Sequence, residues 1–319
     1  INFNLTMSTI NEIQVAHERI KSFIHRTPIL TNKSINREVG AELYFKCENF
    51  QKTGSFKIRG ATNAVMLLSD DDIAKGIVTA SSGNHGAALA MAVKTRRGVV
   101  KVVMPKNTPN IKVENVKRNG GEIIWCEPKQ ESRDQVLKNL LNETGSILIH
   151  PYNDENIIAG QGTTAKELLE DIPNLDIIIS PVSGGGLLGG TLIYSKSMKP
   201  EMCVYGAEPK KANDAFRSLK HGEIKKNKTT NTICDGLRAQ IGTLTFPIIK
   251  EKVDDIITVS ESDIIHAMRM VWERMKIIVE PSCSIALAAL IKRKELMQGK
   301  KIGLIISGGN VDLNQLPFN

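Results

Sequence analysis

The sequence predicts an α/β protein built on parallel strands, and three observations carry the prediction. Short β-branched runs end in glycine-rich or polar turns and give way to helical patterns, the alternation that parallel architectures need. These runs are short enough to be buried strands. A chain of 319 residues, 41% hydrophobic and 24% charged, can bury a large core without staples, and this composition excludes disordered, collagenous and coiled-coil classes.

In chain order, the first strand candidate is 43–47. The next, 76–80 (Gly-Ile-Val-Thr-Ala), runs into a polar turn and then a helical pattern at 86–94. Strands at 99–104 and 122–126 follow, then helices at 132–142 and 161–170. The clearest strand, 176–180, ends in a glycine-rich turn; strand 202–207, helix 261–275 and strand 301–307 complete the set. Residues from about 75 to 150 hold three of these strand candidates alternating with helices, which suits a small domain, 75–152, inserted into a larger one formed by 1–67 and 154–319. Such an insertion leaves a cleft between the two. There is no low-complexity linker and no internal repeat.

The charge balance is 42 Lys and Arg against 34 Asp and Glu, net +8, but the basic residues are scattered and aromatics make up only 4%. No base-stacking surface is evident, so nucleic acid is not expected as a partner. No apolar run reaches the roughly 18 residues of a membrane span, and no export signal is seen. Five cysteines, Cys47, Cys126, Cys203, Cys234 and Cys283, are odd in number, widely spaced and lack a C-x-x-C pair, which points to a reducing, cytoplasmic compartment. Met7 is expected to be the natural start.

Four segments carry chemistry. In Ser55-Phe56-Lys57-Ile58-Arg59-Gly60-Ala61 a lysine lies among apolar neighbours where a helix opens; partial desolvation would lower its pKa and make it a nucleophile for Schiff-base formation. A surface lysine on an amphipathic helix would read the same way. Ala80-Ser81-Ser82-Gly83-Asn84-His85-Gly86 lies between a strand and an alanine-rich helix, where small residues let the backbone approach a ligand and helix-start N–H groups favour an anion. An ordinary capped turn is the competing reading.

The third segment, Ser183-Gly184-Gly185-Gly186-Leu187-Leu188-Gly189-Gly190, suits phosphate held by backbone amides. Gly184, Gly186 and Gly189 also match G-x-G-x-x-G, with Glu208 about 20 residues on, so an NAD-dependent oxidoreductase is a distant alternative. That reading leaves the lysine and SSGNHG segments without a role. The fourth, Ser307-Gly308-Gly309-Asn310, places a hydroxyl at a strand's C-terminal end, where ligands of open α/β sheets bind. A closing turn would look alike.

Taken together and in this order, the four segments resemble the fold-type II pyridoxal-phosphate enzymes, the tryptophan-synthase-β-like family, over almost the whole chain. Within it the sequence is most similar to the eukaryotic serine racemase group, with serine and threonine dehydratases next. The supporting segments are 45–54 (FKCENFQKTG), 159–163 (AGQGT) and 271–276 (VWERMK). The chain stops soon after SGGNVDL, without the C-terminal regulatory domain of biosynthetic threonine dehydratases.

The resemblance implies two α/β domains with pyridoxal 5'-phosphate in the cleft. Lys57 would form the Schiff base with it, next to Phe56. Asn84 would contact its hydroxyl, Ser183, Gly184, Gly185, Gly186 and Leu187 its phosphate, and Ser307 its pyridine nitrogen. Tyr152, which replaces an asparagine of the animal enzymes as in fungal racemases, would lie beside the ring. A serine hydroxyl at the nitrogen cannot impose a full proton on it, which restrains the ring as an electron sink and favours reprotonation or loss of a β-hydroxyl over transamination.

Racemisation needs a proton-transfer group on each face of Cα. The resemblance implies Lys57 on one and Ser82 on the other, where many dehydratases carry a small apolar residue. Ser81, Ser82, Asn84, His85 and Arg133 match substrate-carboxylate positions. Glu208, Asp214 and the Ala212 carbonyl match a divalent-cation site whose hard oxygen donors suit Mg²⁺ or Ca²⁺. Lys52, Thr53, Lys276 and Glu280 fit an ATP effector site, whereas Asn32, Lys33 and Ala87 depart from the animal pattern. The implied activity is serine racemisation with β-elimination of serine to pyruvate and ammonia, in a homodimer; a serine/threonine dehydratase with little racemase activity is the alternative.

Overall fold

The computed structural model describes residues 9–81 and 83–318; Met7 and Ser82 lie outside the described residues. Its strands are β1 (Ile29–Leu30), β2 (Glu42–Cys47), β3 (Ile77–Ala80), β4 (Val100–Pro105), β5 (Glu122–Cys126), β6 (Ile147–Leu148), β7 (Ile177–Pro181), β8 (Cys203–Pro209), β9 (Asp255–Val259) and β10 (Lys301–Ile306). One sheet has the order β1-β2-β10-β7-β8-β9, the other β5-β4-β3-β6. Only the β1–β2 pair is antiparallel. The fold is α/β, as the alternation predicts.

Side-chain alternation along the central strands explains why the larger sheet is covered on both faces. Ile177 and Ile179 of β7 join Ile302, Leu304 and Ile306 of β10 in one core, against helices Glu261–Met275 and Pro281–Lys292. Ile178 and Ile305 point the other way, into a core with helices Ile10–Ile20, Glu155–Asp171 and Gly186–Met198. A third core joins the smaller sheet to helices Asn84–Thr95 and Lys57–Met66 through Val100, Val102, Leu89, Ile58 and Val65. Helix Lys57–Met66 therefore sits between the two sheets.

Three strands go beyond the sequence expectation. β1 and β6 are two residues long, too short to show a period, and β9 is an edge strand that opens on Asp255, directly after Asp254. Helix Glu155–Asp171 starts six residues before the predicted 161, because the Asp154 side chain accepts from the N–H groups of Asn156 and Ile157 and nucleates it there.

Candidate active site

Because β3, β7 and β10 run parallel within their sheets, Ser81, the turn at 183–185 and Ser307 all follow C-terminal strand ends. Backbone pairing brings the lysine segment to the last of them. The Phe56 N–H donates to the Ser307 carbonyl at 3.0 Å, Ser55 pairs with Gly308, and the Gly309 N–H donates to the Gly54 carbonyl at 2.9 Å. Lys57 thus opens its helix beside the end of β10.

Side chains add the second loop. The Asn310 Nδ2 donates to the Asn84 Oδ1 at 3.0 Å and to the Thr53 carbonyl at 2.8 Å, while Asn84 Nδ2 donates to Glu280 Oε1 at 2.9 Å. Glu280 is buried, and its N–H donates to the Gly308 carbonyl. Lys112 reaches this array from helix Asn110–Arg118, its stem against Gly83 and its Nζ 2.5 Å from Asp235 and 3.9 Å from Glu280. Ser81 is also buried. Its Oγ accepts from the N–H groups of Gly83 and Gly86, capping the start of helix Asn84–Thr95.

The electrostatics follow from burial. Lys57 Nζ donates to the Pro151 carbonyl at 2.8 Å, and desolvation lowers its pKa to about 8. His85 is buried with neither ring nitrogen in a formed hydrogen bond; burial, then the charges of Lys57 and His150, hold it well below the usual histidine range. His150 is lowered to about 4 by burial and then by Lys57 and Arg133. Both imidazoles are therefore neutral near pH 7. Arg133 acts on His150 and Tyr152 through its charge, bonds Gln130, and keeps a buried Nε without a partner.

The glycine loop after β7 is held from below. Ser183 Oγ donates to the Ala239 carbonyl and accepts from its N–H, and the Gly184 carbonyl accepts from Gly242 N–H and Thr245 Oγ1. Gly185 has φ +94°, and Gly186 begins a 13-residue helix. A Cβ on Gly184 would lie 2.3 Å from the Tyr152 ring. The loop therefore presents backbone rather than side chains, at a helix N-terminus, to whatever binds there. A desolvated amine, a glycine cradle and a buried Ser307 at a strand end fit pyridoxal phosphate.

Glu208 caps a helix. Its two oxygens accept from Ala215 and Phe216 N–H at 2.9 Å, capping helix Asp214–His221, so it does not serve a nucleotide ribose as the dinucleotide-binding alternative would require. Burial and then the Asp214 charge push it well above the usual carboxylate range. Asp214 accepts from Asn227 Nδ2 and Ile241 N–H, and Ala212 is buried beside it in the chain. No cluster of three or more His, Cys, Asp or Glu side chains suited to a metal occurs among the described residues. Of the four ATP positions, Thr53 and Glu280 join the Asn84–Asn310 array, Lys52 is half-buried, and Lys276 is exposed on a left-handed helix cap.

Sequence reasoning missed what anchors the Lys57 helix. Arg59 is fully buried and bonds Glu48 and Glu167 through two nitrogens each, while Lys46 Nζ bonds Glu167 at 2.6 Å and the Thr27 carbonyl at 2.8 Å. Glu48 and Glu167 are 119 positions apart in sequence, so only folding makes the cluster. Glycine pairs do the rest: a Cβ on Gly160 would lie 2.7 Å from Gly60 Cα, and one on Gly190 2.6 Å from the Gly162 N.

Comparison with known proteins identifies the family. The family described as pyridoxal-phosphate dependent enzyme matches residues 20–308. The chain is 50% identical over 312 residues to a serine racemase of Dictyostelium discoideum, covering 97% of this chain and 96% of that protein. It is 45% identical over 311 residues to a β-hydroxyaspartate dehydratase of Paracoccus denitrificans, covering 98% and 99%. The solved structure of maize serine racemase superposes with a TM-score of 0.94 at 48% identity, covering 97% of this chain and 95% of that one. With the matched family spanning residues 20–308 and close likeness to a solved structure over 97% of its length, the chain belongs to the fold-type II pyridoxal-phosphate-dependent enzymes.

Proposed function

We propose that this chain is a pyridoxal-phosphate-dependent serine racemase that also eliminates water from serine to give pyruvate and ammonia. The observation that carries the reading is the desolvated Lys57 amine, lowered to about 8 beside loops from three parallel strands, in a chain half identical to a serine racemase. Lys57 would hold the cofactor covalently, Phe56 would flank it, Asn84 would meet its ring hydroxyl and Tyr152 its face. The backbone of Ser183, Gly184, Gly185, Gly186 and Leu187 would hold its phosphate, and the Ser307 hydroxyl its ring nitrogen. Bound there, pyridoxal phosphate supplies the electron sink that makes the Cα–H bond of an amino acid acidic.

Every other step belongs to side chains. As a free amine, Lys57 Nζ would move a proton at Cα on its own face, and its depressed pKa keeps part of it in the basic form near neutrality. Ser82 is proposed to move the proton on the opposite face. Ser81, Asn84, Arg133 and neutral His85 surround the substrate carboxylate, Arg133 supplying the positive charge. Loss of the β-hydroxyl competes with reprotonation, and a small difference in the two barriers sets the ratio.

The finer proposals follow the same reading. The large cofactor domain is 1–67 with 154–319, the inserted one 75–152. Glu208, Asp214 and the Ala212 carbonyl would take Mg²⁺ or Ca²⁺ as hard oxygen donors. ATP as an effector would meet Lys52, Thr53 and Lys276, with Glu280 reached only through the buried array. Five unpaired cysteines suit a cytoplasmic setting, no described helix is long and apolar enough to cross a membrane, and the assembly proposed is a homodimer.

A second reading, a dehydratase of β-hydroxy amino acids, is favoured by the 45% identity to a β-hydroxyaspartate dehydratase. D-serine and pyruvate measured together from L-serine, with Mg²⁺ and pyridoxal phosphate, separate the two. Appreciable D-serine is expected; pyruvate alone would leave the dehydratase. Ser82→Ala should abolish racemisation and spare elimination of L-serine, whereas Lys57→Ala should abolish both. Equal loss of both activities in Ser82→Ala would refute the two-face assignment.

A further inference from the structure

The AGQGT segment, residues 159–163, lies in helix Glu155–Asp171 and packs on two other helices at once. Gly160 sets it against the Lys57 helix at Gly60, and Gly162 sets it against helix Gly186–Met198 at Gly190. Gln161 lies between these contacts with none of its surface exposed. Its Oε1 is 2.5 Å from the position a Gly186 Cβ would occupy, and its Cγ is 3.1 Å from that of Gly60. The amide is thus directed at the first residue of the glycine-loop helix, one turn from the lysine helix's own start.

Neither Oε1 nor Nε2 has a hydrogen-bond partner in the protein. Burying an unpaired amide is costly, and a leucine would fill the same volume at no such cost. The Oε1 end is directed at Gly186, the N-terminus of a helix of 13 residues, where unpaired N–H groups and the helix dipole favour an anion as the partner the amide lacks. The two ends of an amide are interchangeable by a half-turn, so the group can present N–H to that anion.

We propose that Gln161 is a further cofactor contact, donating its Nε2–H to the phosphate of pyridoxal phosphate, directly or through one bound water. The inference rests on the reading that residues 183–187 hold that phosphate. It also gives the two glycines of the motif a purpose: close backbone approach on both flanks sets the Gln161 side chain against the glycine-loop helix.

The test uses the full chain freed of cofactor, with Q161L and Q161E. Pyridoxal phosphate affinity is measured by absorbance titration, inorganic phosphate affinity by competition, and Tm with and without cofactor. Q161L should bind pyridoxal phosphate about 10- to 100-fold more weakly, the loss expected for one hydrogen bond to a charged group, and phosphate more weakly too. Its cofactor-free form should melt no lower than the parent, since an unpaired amide has been removed. Q161E should bind worse than Q161L, because a carboxylate faces the phosphate. Affinities for both ligands within twofold of the parent, or a cofactor-free Q161L that melts lower than the parent or fails to fold, would overturn the proposal. Failure of the parent itself to take up pyridoxal phosphate would instead overturn the cofactor reading on which it rests.

Discussion

The reactivity of Lys57 can be tested apart from turnover. Desolvation lowers its pKa from 10.5 to about 8. At pH 7 such an amine is ~10% neutral, against ~0.03% for one at 10.5, a gain of about 300-fold in nucleophile. The assay is competitive acetylation of the cofactor-free protein with limiting acetic anhydride across pH 6 to 11, read by mass spectrometry at Lys57 and at exposed lysines such as Lys294. Burial slows access to Lys57 equally at every pH, so the shape of the curve is what matters. Half-maximal labelling should fall near pH 8, with a plateau above it. A rate still climbing through pH 10 in parallel with the exposed lysines would refute the argument that burial tunes this amine.

The same shift has a consequence for stability, with a definite sign. The folded pKa lies below the unfolded one, so between pH 8 and 10.5 the unfolded chain binds more protons and stability rises with pH, by at most about 3 kcal/mol from this group. Urea denaturation of the cofactor-free protein across that window reads it.

Other predictions concern the scaffold. Arg59→Met strands the buried Glu48 and Glu167 carboxylates and should cost about 3–5 kcal/mol in urea denaturation, whereas a loss below about 1 kcal/mol would mean the cluster is not needed. Burial raises the Glu167 pKa, but Arg59 and Lys46 more than offset this and hold it at about 2. It is a depressed carboxylate, so its contribution of about 3 kcal/mol is present above pH 4.5 and lost as pH falls towards 2; a stability flat over that range would contradict it. Gly190→Ala puts a Cβ 2.5 Å from the Ile158 carbonyl and should destabilise by about 1–3 kcal/mol, while Gly189→Ala, with neighbours at 4.0 Å, should be neutral or gain up to ~1 kcal/mol. Thermal melts of the pair decide whether close helix approach is the cause.

Local patterning made the parallel strands legible, because β7 and β10 are apolar on both faces and end in glycine or serine turns. It also marked Lys57 and the glycine loop as candidates, although the lysine segment alone reads equally as a surface lysine on an amphipathic helix. The short strands β1 and β6 left no period to read, and the edge strand β9 was masked by its charged flank. What only the tertiary structure decided is which distant residues meet. Ser307 reaches the lysine segment through backbone pairing over some 250 residues, the Arg59 cluster draws on three separate segments, and Gln161 faces a loop that its own sequence does not mention. The physical reason is that sequence periodicity reports which face of an element is buried, whereas a site is made where loops from several elements converge. Desolvation, which lowers the Lys57 pKa and leaves Gln161 in want of a partner, is a property of that convergence and not of either residue alone.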